Sequence, residues 1–463
     1  MDLIKEFIKR QDSNKIKVGI VGDIILDEYH QVIVERISPE FPIEILKSQS
    51  DAPYKICFGG ASNVANLASA FNVGCTLFGY ADEKSTSVLS SAKFKSQTIK
   101  VNSIPRKKRF YSNGFPLVRW DVEETIQNNT TDNDLLNLIQ NYIKIEKPDI
   151  IILSDYGKGV FSSPYLAQNI ISLCNDLNIL TLVDPKADPM YMWRGCTVFK
   201  VNQKEFDYFC KKQDTYPEEL INILGCKYLI VTNAEHDIDL YDSQHNKKQI
   251  SYKHGKAKSV VGAGDCMASI LGIAYAHKFN IEECITIAGL GSSVYVEKEW
   301  NEPITPFDLL NFVDPIASKL VTAEWLSTQN LNLILANGVF DLIGTHHLDL
   351  LKFAKSKNDK LVVAVNSDES VKVLKGESRP ILPLAERMQI LASLEFVDFV
   401  VSFNEETPYE TIRKIQPDML IKGSDYENKN IAGREFVKEV ILFPFQEGKS
   451  TTNIIEKIKC LKS

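Results

Sequence analysis

The chain has 463 residues, about three times the roughly 150 residues of a typical domain, so two or three domains with full cores are expected. Hydrophobic residues make up 44% of the chain and charged residues 24%, which excludes the disordered and fibrous classes. The net charge of −7 leaves no excess of Lys and Arg to neutralise a nucleic-acid backbone, so we expect no nucleic-acid partner.

The cysteines and the N-terminal segment indicate the cellular compartment. The nine cysteines show no pair or cluster with metal-ligand spacing, which is typical of reduced thiols in a protein core. Residues 1–10 predict a short amphipathic helix rather than a signal peptide, and no stretch approaches the roughly 18 apolar residues of a membrane span. We therefore expect a cytoplasmic protein without a membrane partner.

Apolar strand-like runs alternate with helical periods along nearly the whole chain, which predicts an α/β protein with largely parallel sheets. The ligand crevice of an open α/β sheet lies beyond the carboxyl ends of its strands, so polar residues that follow strands are expected to share one crevice. In the first two thirds of the chain these residues are Asp23, Asp155, Asp184 and Thr232.

Between Gln31 and Lys47 the pattern changes to extended segments around Ser38-Pro39-Glu40. Alternating extended segments of this kind favour an antiparallel pair of strands over a βαβ unit. We predict a flap that covers the crevice.

A fresh series of strands and helices begins at Leu331, after a helical stretch fades near Asn330. Its strands are expected at 331–336, 360–365, 397–401, 419–421 and 440–443, which is a compact nucleotide-binding sheet. We predict a first domain over 1–318, a linker over 319–330 and a second domain over 331–463. The predicted fold is a doubly wound α/β domain with an antiparallel flap, followed by a smaller Rossmann-like domain.

The segment Gly262-Ala263-Gly264-Asp265 combines small residues at a helix start with a carboxylate in the first helical turn. The glycines let backbone N–H groups and the helix dipole approach a phosphate closely. Asp265 is placed to take the proton from an attacking hydroxyl, so we predict phosphoryl transfer to an alcohol.

Three motifs in this order resemble the ribokinase-like (PfkB) sugar kinases: Gly59-Gly60 with Asn63, Asn202-Gln203-Lys204-Glu205, and the Gly262–Asp265 segment. The resemblance implies a ribokinase-like fold in which Asp23, Asp27, Gly59, Gly60 and Asn63 bind the sugar. It further implies that Asn202, Glu205, Gly262, Ala263 and Gly264 bind Mg²⁺ and ATP, with Glu205 nearest the metal and Asp265 as the catalytic base. Homodimers through the kinase flap are implied as well.

Within that family, segments 36–42, 118–124, 153–160 and 183–186 resemble the heptose 7-phosphate kinase domains of bifunctional ADP-heptose synthases. Cations suited to holding a sugar phosphate are Arg109, Arg119, Lys158 and Lys186. The chain departs from the family where Ser259 and Val261 replace the usual Asp and Thr, and where Asp237 replaces a common Gly. The departures leave nucleotide preference and full kinase activity open.

In the last third, Asn337-Gly338-Val339-Phe340-Asp341 leads from a strand towards a helix that His347 opens, and Ser450-Thr451-Thr452-Asn453 forms a hydroxyl-rich helix start. Both are anion sites suited to attack on a nucleotide α-phosphate. The segments resemble the cytidylyltransferase-like superfamily and the adenylyltransferase half of the same bifunctional enzymes. The resemblance makes His347 the catalytic residue, and His347, Lys375, Arg379 and Lys422 positive donors to the nucleotide. The remaining predicted nucleotide contacts are Asn337, Gly338, Phe340, Asp341, His346, Gly423, Ser450, Thr451 and Thr452.

The histidine motif departs from that family, which has H-x-G-H where this chain has Gly344-Thr345-His346-His347. His347 is the retained second histidine, while His346 stands at the glycine position and is a candidate substitute donor. Impaired nucleotide binding in this half is the alternative.

Together, the resemblances imply a bifunctional enzyme that acts on sugar phosphates and nucleotides with ATP and Mg²⁺. Its first domain would phosphorylate the anomeric hydroxyl of D-glycero-D-manno-heptose 7-phosphate, a separate phosphatase would remove the 7-phosphate, and its second domain would adenylylate heptose 1-phosphate. Two alternatives stay open. One is another phosphosugar or polyol phosphate, with CTP in place of ATP, and the other is a domain that has lost catalysis and acts as a binding module.

Overall fold

The computed structural model describes residues 2–48, 50, 53–123, 129–186, 189–233, 236–298, 301–357, 360–423 and 431–444. The chain divides into two compact units, 1–309 and 310–463. The finer boundaries at 318 and 330 stay a prediction. Residues 424–430 and 445–463, which include the predicted nucleotide contacts Ser450, Thr451 and Thr452, lie outside the described part of the chain.

The first unit alternates strands with helices through most of its length. Its strands are β1 (Lys17–Gly22), β2 (Ile24–Ile37), β3 (Glu44–Ser48), β4 (Lys55–Gly60), β5 (Gly74–Ala81), β6 (Lys95–Lys100), β7 (Arg106–Ser112), β8 (Phe115–Val122), β9 (Ile150–Ser154), β10 (Leu180–Asp184), β11 (Val198–Asn202), β12 (Tyr228–Thr232), β13 (Ile238–Asp242) and β14 (Lys247–Ile250). Its helices are α1 (Asp2–Ser13), α2 (Ala61–Ser69), α3 (Glu83–Leu89), α4 (Asn129–Glu146), α5 (Pro164–Asp176), α6 (Gln203–Gln213), α7 (Pro217–Leu224), α8 (Ala263–Ala276) and α9 (Ile281–Tyr295), with a 3₁₀ turn at Met190–Trp193. The unit boundary falls within α10 (Pro306–Val313).

The large sheet of the first unit has the strand order β14-β13-β12-β11-β10-β9-β1-β5-β6. The seven strands β12, β11, β10, β9, β1, β5 and β6 run parallel, and the hairpin β13–β14 extends the sheet antiparallel at one edge. The central strands β1 and β9 are buried along almost their whole length, as strands covered by helices on both faces must be. The predicted doubly wound fold is therefore confirmed, and the carboxyl ends of β1, β9, β10, β11 and β12 meet at one edge.

A second sheet in this unit has the order β3-β2-β7-β8, with β4 also paired to β2. It is the predicted flap, but it is larger than the 31–47 hairpin that the sequence indicates. β7 pairs with β2 in parallel, and the other pairs are antiparallel. The sequence gives little sign of β7 because Arg106-Lys107-Lys108-Arg109 lacks apolar alternation and its partner strand is distant in the chain.

The second unit is a smaller α/β domain. Its strands are β15 (Leu333–Gly338), β16 (Lys360–Asn366), β17 (Phe399–Phe403), β18 (Met419–Gly423) and β19 (Glu439–Phe443). Its helices are α11 (Ala323–Ser327), α12 (Thr345–Lys355), α13 (Asp368–Lys375), α14 (Leu384–Ala392) and α15 (Tyr409–Ile415), with 3₁₀ turns at Ala317–Lys319 and Arg434–Phe436.

The sheet of the second unit is parallel throughout the described residues, in the order β17-β16-β15-β18-β19. The chain builds outward from β15 on one side and then returns to its other side, so the switch point lies between β15 and β18. Ligands of open α/β sheets bind at this point. The predicted Rossmann-like fold and its strands are confirmed.

The described residues can also be compared with what a membrane span and a disulfide require. Within the described ranges, no helix combines the length and the apolar character that a membrane crossing requires. The cysteines that the structure describes all carry free thiols, and nearly all of them are buried.

Candidate functional sites

Helix α8 begins at the crevice edge of the large sheet, directly after Gly262. Gly262 has a φ of 79°, in the left-handed region that favours glycine. A Cβ atom at this residue would lie 2.5 Å from the Tyr295 hydroxyl and 2.8 Å from Asn63 Nδ2. The turn therefore requires glycine for both its backbone conformation and its close packing. The first-turn N–H groups of α8 follow this turn, and the anion site that the sequence predicts there stays a prediction.

Asp265 lies in the first turn of α8 and is only 3% exposed. The Tyr156 hydroxyl donates a hydrogen bond to Asp265 Oδ1, and Asn63 Nδ2 donates to Oδ2 at 2.8 Å. Burial raises the pKa of the Asp265 carboxyl to about 6, although these two hydrogen bonds oppose the rise. Burial also raises the pKa of Tyr156 well above 10, so its phenol stays protonated and remains a donor. Asp265 is thus ionised at neutral pH but is a stronger base than an ordinary carboxylate.

The two acids predicted to hold sugar hydroxyls already have partners within the protein. Asp23 accepts hydrogen bonds from the backbone N–H groups of Tyr156, Lys158 and Val160 at 2.9 to 3.0 Å, so it fixes the loop that carries Tyr156. Asp27 accepts from Arg109 at 2.9 Å and from Asn301 Nδ2 at 3.3 Å. The predicted sugar contacts of both acids stay predictions.

Gly59 and Gly60 end β4 beside these acids. Gly60 has a φ of 56°, and a Cβ there would lie 2.4 Å from the Asp23 carbonyl oxygen. Asn63, in the following helix α2, has a buried Oδ1 atom without a hydrogen-bond partner among the described residues. Nδ2 of the same amide donates to the Asp265 carboxylate, so Asn63 contacts that acid while its Oδ1 keeps an unused acceptor.

A cavity of about 600 Å³ lies beside the start of α8. Its lining includes the predicted nucleotide residues Asn202, Glu205, Ala263 and Gly264, and also Lys186. Asn202 and Glu205 cap helix α6 reciprocally, with both hydrogen bonds at 3.0 Å. Lys186 Nζ lies 2.8 Å from Glu205 Oε1, so the structure places Lys186 with the nucleotide residues rather than with the predicted sugar residues.

Lys200 also lines this cavity, although none of the sequence motifs includes it. It is 4% exposed, and its Nζ bonds both carboxylate oxygens of Asp184 at 3.0 Å and the Gly264 carbonyl oxygen at 3.3 Å. The available signal was a lysine inside the apolar run Val198-Phe199-Lys200-Val201. A buried lysine is rare unless it is paired, so such a residue marks a polar site.

The other predicted cations lie around the flap. Arg109 pairs with Asp27, and Lys158 Nζ lies 2.5 Å from Glu123 Oε1. Arg119, which is more exposed, pairs with Asp121 at 2.9 Å. Each of these cations therefore already has a carboxylate partner.

In the second unit, four of the predicted nucleotide residues lie at strand ends beside the switch point of the sheet. Asn337 and Gly338 end β15, while Lys422 and Gly423 end β18. Lys422 is 7% exposed and donates a hydrogen bond from Nζ to Asn337 Oδ1. The contact joins the two strand ends at the point where a ligand is expected.

Asp341 fixes a neighbouring loop. It is 2% exposed, and it accepts from the Arg379 side chain and from the backbone N–H groups of Ile381 and Leu382 at 2.7 and 2.9 Å. Phe340, just before it, has a positive φ of 47°. Arg379 Nη2 is buried without a partner among the described residues, so a donor remains available in this loop.

His347 lies in the first turn of α12, and its Nδ1 accepts a hydrogen bond from the Gly344 backbone N–H at 3.1 Å. Burial, assisted by His346 and Lys375, lowers the pKa of His347 to about 4. The ring is therefore neutral at pH 7, and the Nδ1 acceptor places its proton on Nε2. The predicted positive donor is corrected to a neutral one, because burial favours the uncharged imidazole. Burial also lowers the pKa of the nearby predicted donor Lys375.

The His346 ring lies close to the His347 ring, with centroids 3.8 Å apart and planes tilted by 40°. A Cβ built on Gly344 would lie 3.0 Å from His346 Nδ1. The His346 imidazole therefore occupies the space where a side chain at residue 344 would begin.

Glu205 is the carboxylate that the sequence places nearest Mg²⁺. Within the described residues, no group of three or more His, Cys, Asp or Glu side chains is arranged to hold a metal. Mg²⁺ typically takes one or two protein carboxylates and completes its shell with phosphates and water. A single carboxylate such as Glu205, beside an anion site, fits that requirement.

Comparison with known families divides the chain in the same way. Residues 52–301 match the pfkB family of carbohydrate kinases, and residues 335–457 match the cytidylyltransferase-like family.

Similar proteins span the whole chain. The bifunctional protein HldE of Pasteurella multocida is 33% identical over 477 aligned residues, which cover 96% of this chain and 98% of that protein. The bifunctional protein HldE of Campylobacter fetus is 34% identical over 465 residues, which cover 96% of this chain and all of that protein.

Solved structures resemble the first part of the chain. A mutant of phosphofructokinase-2 from Escherichia coli has a TM-score of 0.53 at 19% identity and covers 64% of this chain and 98% of its own. Ribokinase from Thermotoga maritima has a TM-score of 0.50 at 16% identity, with 64% and 99% covered. At this identity the likeness shows a shared ribokinase-like fold.

The two glycines of the α8 start are expected to respond differently to a methyl group. Gly262→Ala should lower the free energy of unfolding by about 2 kcal/mol or more, because it forces a left-handed alanine against Tyr295. Gly264→Ala is the matched control and should lose less, since its Cβ meets only Lys200 Nζ, at 3.3 Å, and alanine favours a helix. Urea unfolding measures both, and equal losses would contradict the assignment of the strained turn to Gly262.

Proposed function

The chain belongs to the HldE family of bifunctional proteins, and on that premise we propose a two-step role in making ADP-heptose. The first unit phosphorylates the anomeric hydroxyl of D-glycero-D-manno-heptose 7-phosphate with ATP. The second unit transfers the adenylyl group of ATP to heptose 1-phosphate. The observation that carries this proposal is the presence, on one chain, of a buried carboxylate at a helix start and of a histidine at a separate nucleotide switch point.

In the kinase step, the sugar hydroxyl oxygen attacks the γ-phosphorus of ATP, the bond from that phosphorus to the bridging oxygen breaks, and ADP leaves. Asp265 accepts the hydroxyl proton, and its raised pKa suits this task because the base is ionised yet strong at neutral pH. Tyr156 and Asn63 hold the carboxylate in place. The free Oδ1 of Asn63 is available to accept a hydrogen bond from the sugar, which supports its predicted substrate role.

We assign the 600 Å³ cavity to ATP, with Asn202, Ala263 and Gly264 beside the phosphates. The N–H groups at the start of α8 stabilise the charge that develops on the transferred phosphoryl group. Glu205 would hold Mg²⁺, which when bound neutralises charge on the phosphate oxygens. Lys186 then exchanges its contact with Glu205 for one with phosphate.

In the nucleotidyl step, a phosphate oxygen of heptose 1-phosphate attacks the α-phosphorus of ATP, the bond between the α- and β-phosphates breaks, and pyrophosphate leaves. Neutral His347 donates a hydrogen bond from Nε2, while Lys375, Arg379 and Lys422 neutralise the growing charge. Catalysis here consists mainly of positioning, because no proton has to be removed from the attacking phosphate.

We infer a homodimer through the flap sheet. The flap exposes large apolar side chains, including Phe115 at 73% and Trp120 at 59% exposure, which a soluble monomer rarely groups together. A monomer at micromolar concentration in sedimentation equilibrium would contradict this inference. We place the enzyme in the cytoplasm, where ATP and sugar phosphates are available.

Substitutions in the two units should separate the two activities. Asp265→Asn should lower ADP formation from heptose 7-phosphate by a factor of about 10² to 10⁴ and leave pyrophosphate release from heptose 1-phosphate intact. His347→Ala should do the reverse, with a loss of about 10² in the second reaction. Coupled assays on one preparation measure both. Wild-type protein that is folded but makes no ADP from heptose 7-phosphate refutes the kinase proposal, and the same assay with other phosphosugars and with CTP separates the alternatives.

The kinase rate should depend on the ionisation of Asp265. Because the base acts when deprotonated, kcat/KM should be constant above about pH 7 and fall tenfold per unit below about pH 6. Tyr156→Phe removes a hydrogen bond that lowers the pKa of Asp265, so this limb should move to higher pH. Identical pH profiles for the two proteins would show that the hydrogen bond does not tune the base.

The position of His346 predicts an exchange of histidines within the motif. His346→Gly should raise the KM for ATP in pyrophosphate release by about tenfold to a hundredfold, since a donor to the triphosphate is lost. The double variant Gly344→His/His346→Gly moves the imidazole from residue 346 to residue 344 and should recover most of that loss. Wild-type kinetics in His346→Gly would mean that His346 takes no part in nucleotide binding.

A further inference from the structure

Strand β7 of the flap directs its basic residues to two different faces. Lys107 is in register with Asp27 of β2 and Asp121 of β8, whereas Lys108 is in register with Glu28 and Trp120. Side chains alternate along a strand, so Lys107 shares the face of Asp27 and Lys108 the opposite face. Lys108 accordingly lies over Trp120, with Nζ 5.0 Å from the ring centroid.

The cations on the Asp27 face of the flap and in the neighbouring loop differ in whether they have a carboxylate partner. Arg109, Arg119 and Lys158 each form an ion pair at 2.5 to 2.9 Å. Lys107 has no carboxylate within 4.0 Å of its Nζ among the residues that the structure describes. Lys107 is half-buried, and its ammonium is therefore the cation on this face that is most available to bind an external anion.

Lys107 also lies close to the catalytic carboxylate. Its Nζ is 5.3 Å from the centroid of the Tyr156 ring, and the hydroxyl of that ring donates to Asp265. One tyrosine ring thus separates the ammonium from the base. Lys107 also flanks the exposed Glu123, whose pKa is lowered mainly by its hydrogen bond with Lys158 and further by Lys107 and Arg119. Three cations therefore surround one carboxylate beside the crevice.

We propose that Lys107 binds the phosphate group that the sugar substrate already carries, while the anomeric hydroxyl lies at Asp265. This inference rests on the proposed kinase function and adds the residue that selects phosphorylated sugars. A phosphate dianion offers more negative charge than a carboxylate, so it also attracts Lys158 away from Glu123.

The test compares two lysines that are neighbours on β7. Lys107→Met should raise the KM for heptose 7-phosphate by about tenfold to a hundredfold with kcat changed less than about threefold, as expected for the loss of a charge-assisted hydrogen bond in ground and transition states alike. Lys108→Met is the matched control and should behave as wild type, because its side chain lies on the other face. Lys107→Arg keeps the charge and should retain most of the affinity.

A second substrate identifies the phosphate as the group that is recognised. With heptose that lacks the 7-phosphate, Lys107→Met and wild type should have the same kcat/KM, so the preference for the phosphorylated sugar falls by the factor lost in KM. An unchanged KM in Lys107→Met, or a fall in kcat at constant KM, would overturn the proposal. Thermal melting confirms folding of each variant.

The outcome for wild-type protein is separate from the outcome for the variants. Wild type that is inactive on heptose 7-phosphate contradicts the proposed function. The comparison of the two lysine variants is then made on whichever sugar phosphate the wild type accepts, and it still decides the role of Lys107.

Discussion

The kinase chemistry that we propose depends on the way Asp265 is held. Its two oxygens accept from a phenol and an amide, and neither donor carries a charge. Nearby acids are held differently: Asp27 and Asp184 are paired with Arg109 and Lys200. Burial raises the pKa of Asp265, and its two neutral donors fix the carboxylate without a cation in hydrogen-bond contact. Asp23 is also held by neutral donors, but these are backbone N–H groups of the loop that carries Tyr156, whereas the donors to Asp265 are side chains.

The second unit also holds buried polar side chains in fixed positions, but they are of different types. Asp341 is used to fix the loop at 379–382, and Lys422 ties β18 to β15 through Asn337. The proposed nucleotidyl transfer needs no base. Asp341 can therefore stay hydrogen-bonded to its loop, while other side chains act as donors to the nucleotide. His347 fits the role of a neutral donor, because burial and the Gly344 N–H hold it in the neutral form with its proton on Nε2. The two units therefore use buried side chains for opposite purposes, one to accept a proton and the other to stabilise charge.

Most of the fold was predictable because its signals are local. The apolar runs of the parallel strands and the contiguous Gly262–Asp265 segment can be read directly along the chain, and the structure has the strands within a few residues of the predicted bounds. The flap was only partly predictable, since β7 is basic and pairs with a strand some eighty residues earlier. The contacts that tune Asp265 were not predictable, because Asn63 and Tyr156 reach it from two distant segments. The charge state of His347 likewise follows from burial, which the motif does not contain.

The two buried titrating groups give one polypeptide two different responses to acid. Asp265 gains its proton near pH 6, whereas His347 keeps its neutral form down to about pH 4. In the proposed mechanism, acidification of the cell would therefore slow the first reaction before the second. Heptose 7-phosphate would then accumulate before its C1 hydroxyl is phosphorylated, and less heptose 1-phosphate would be left between the two reactions.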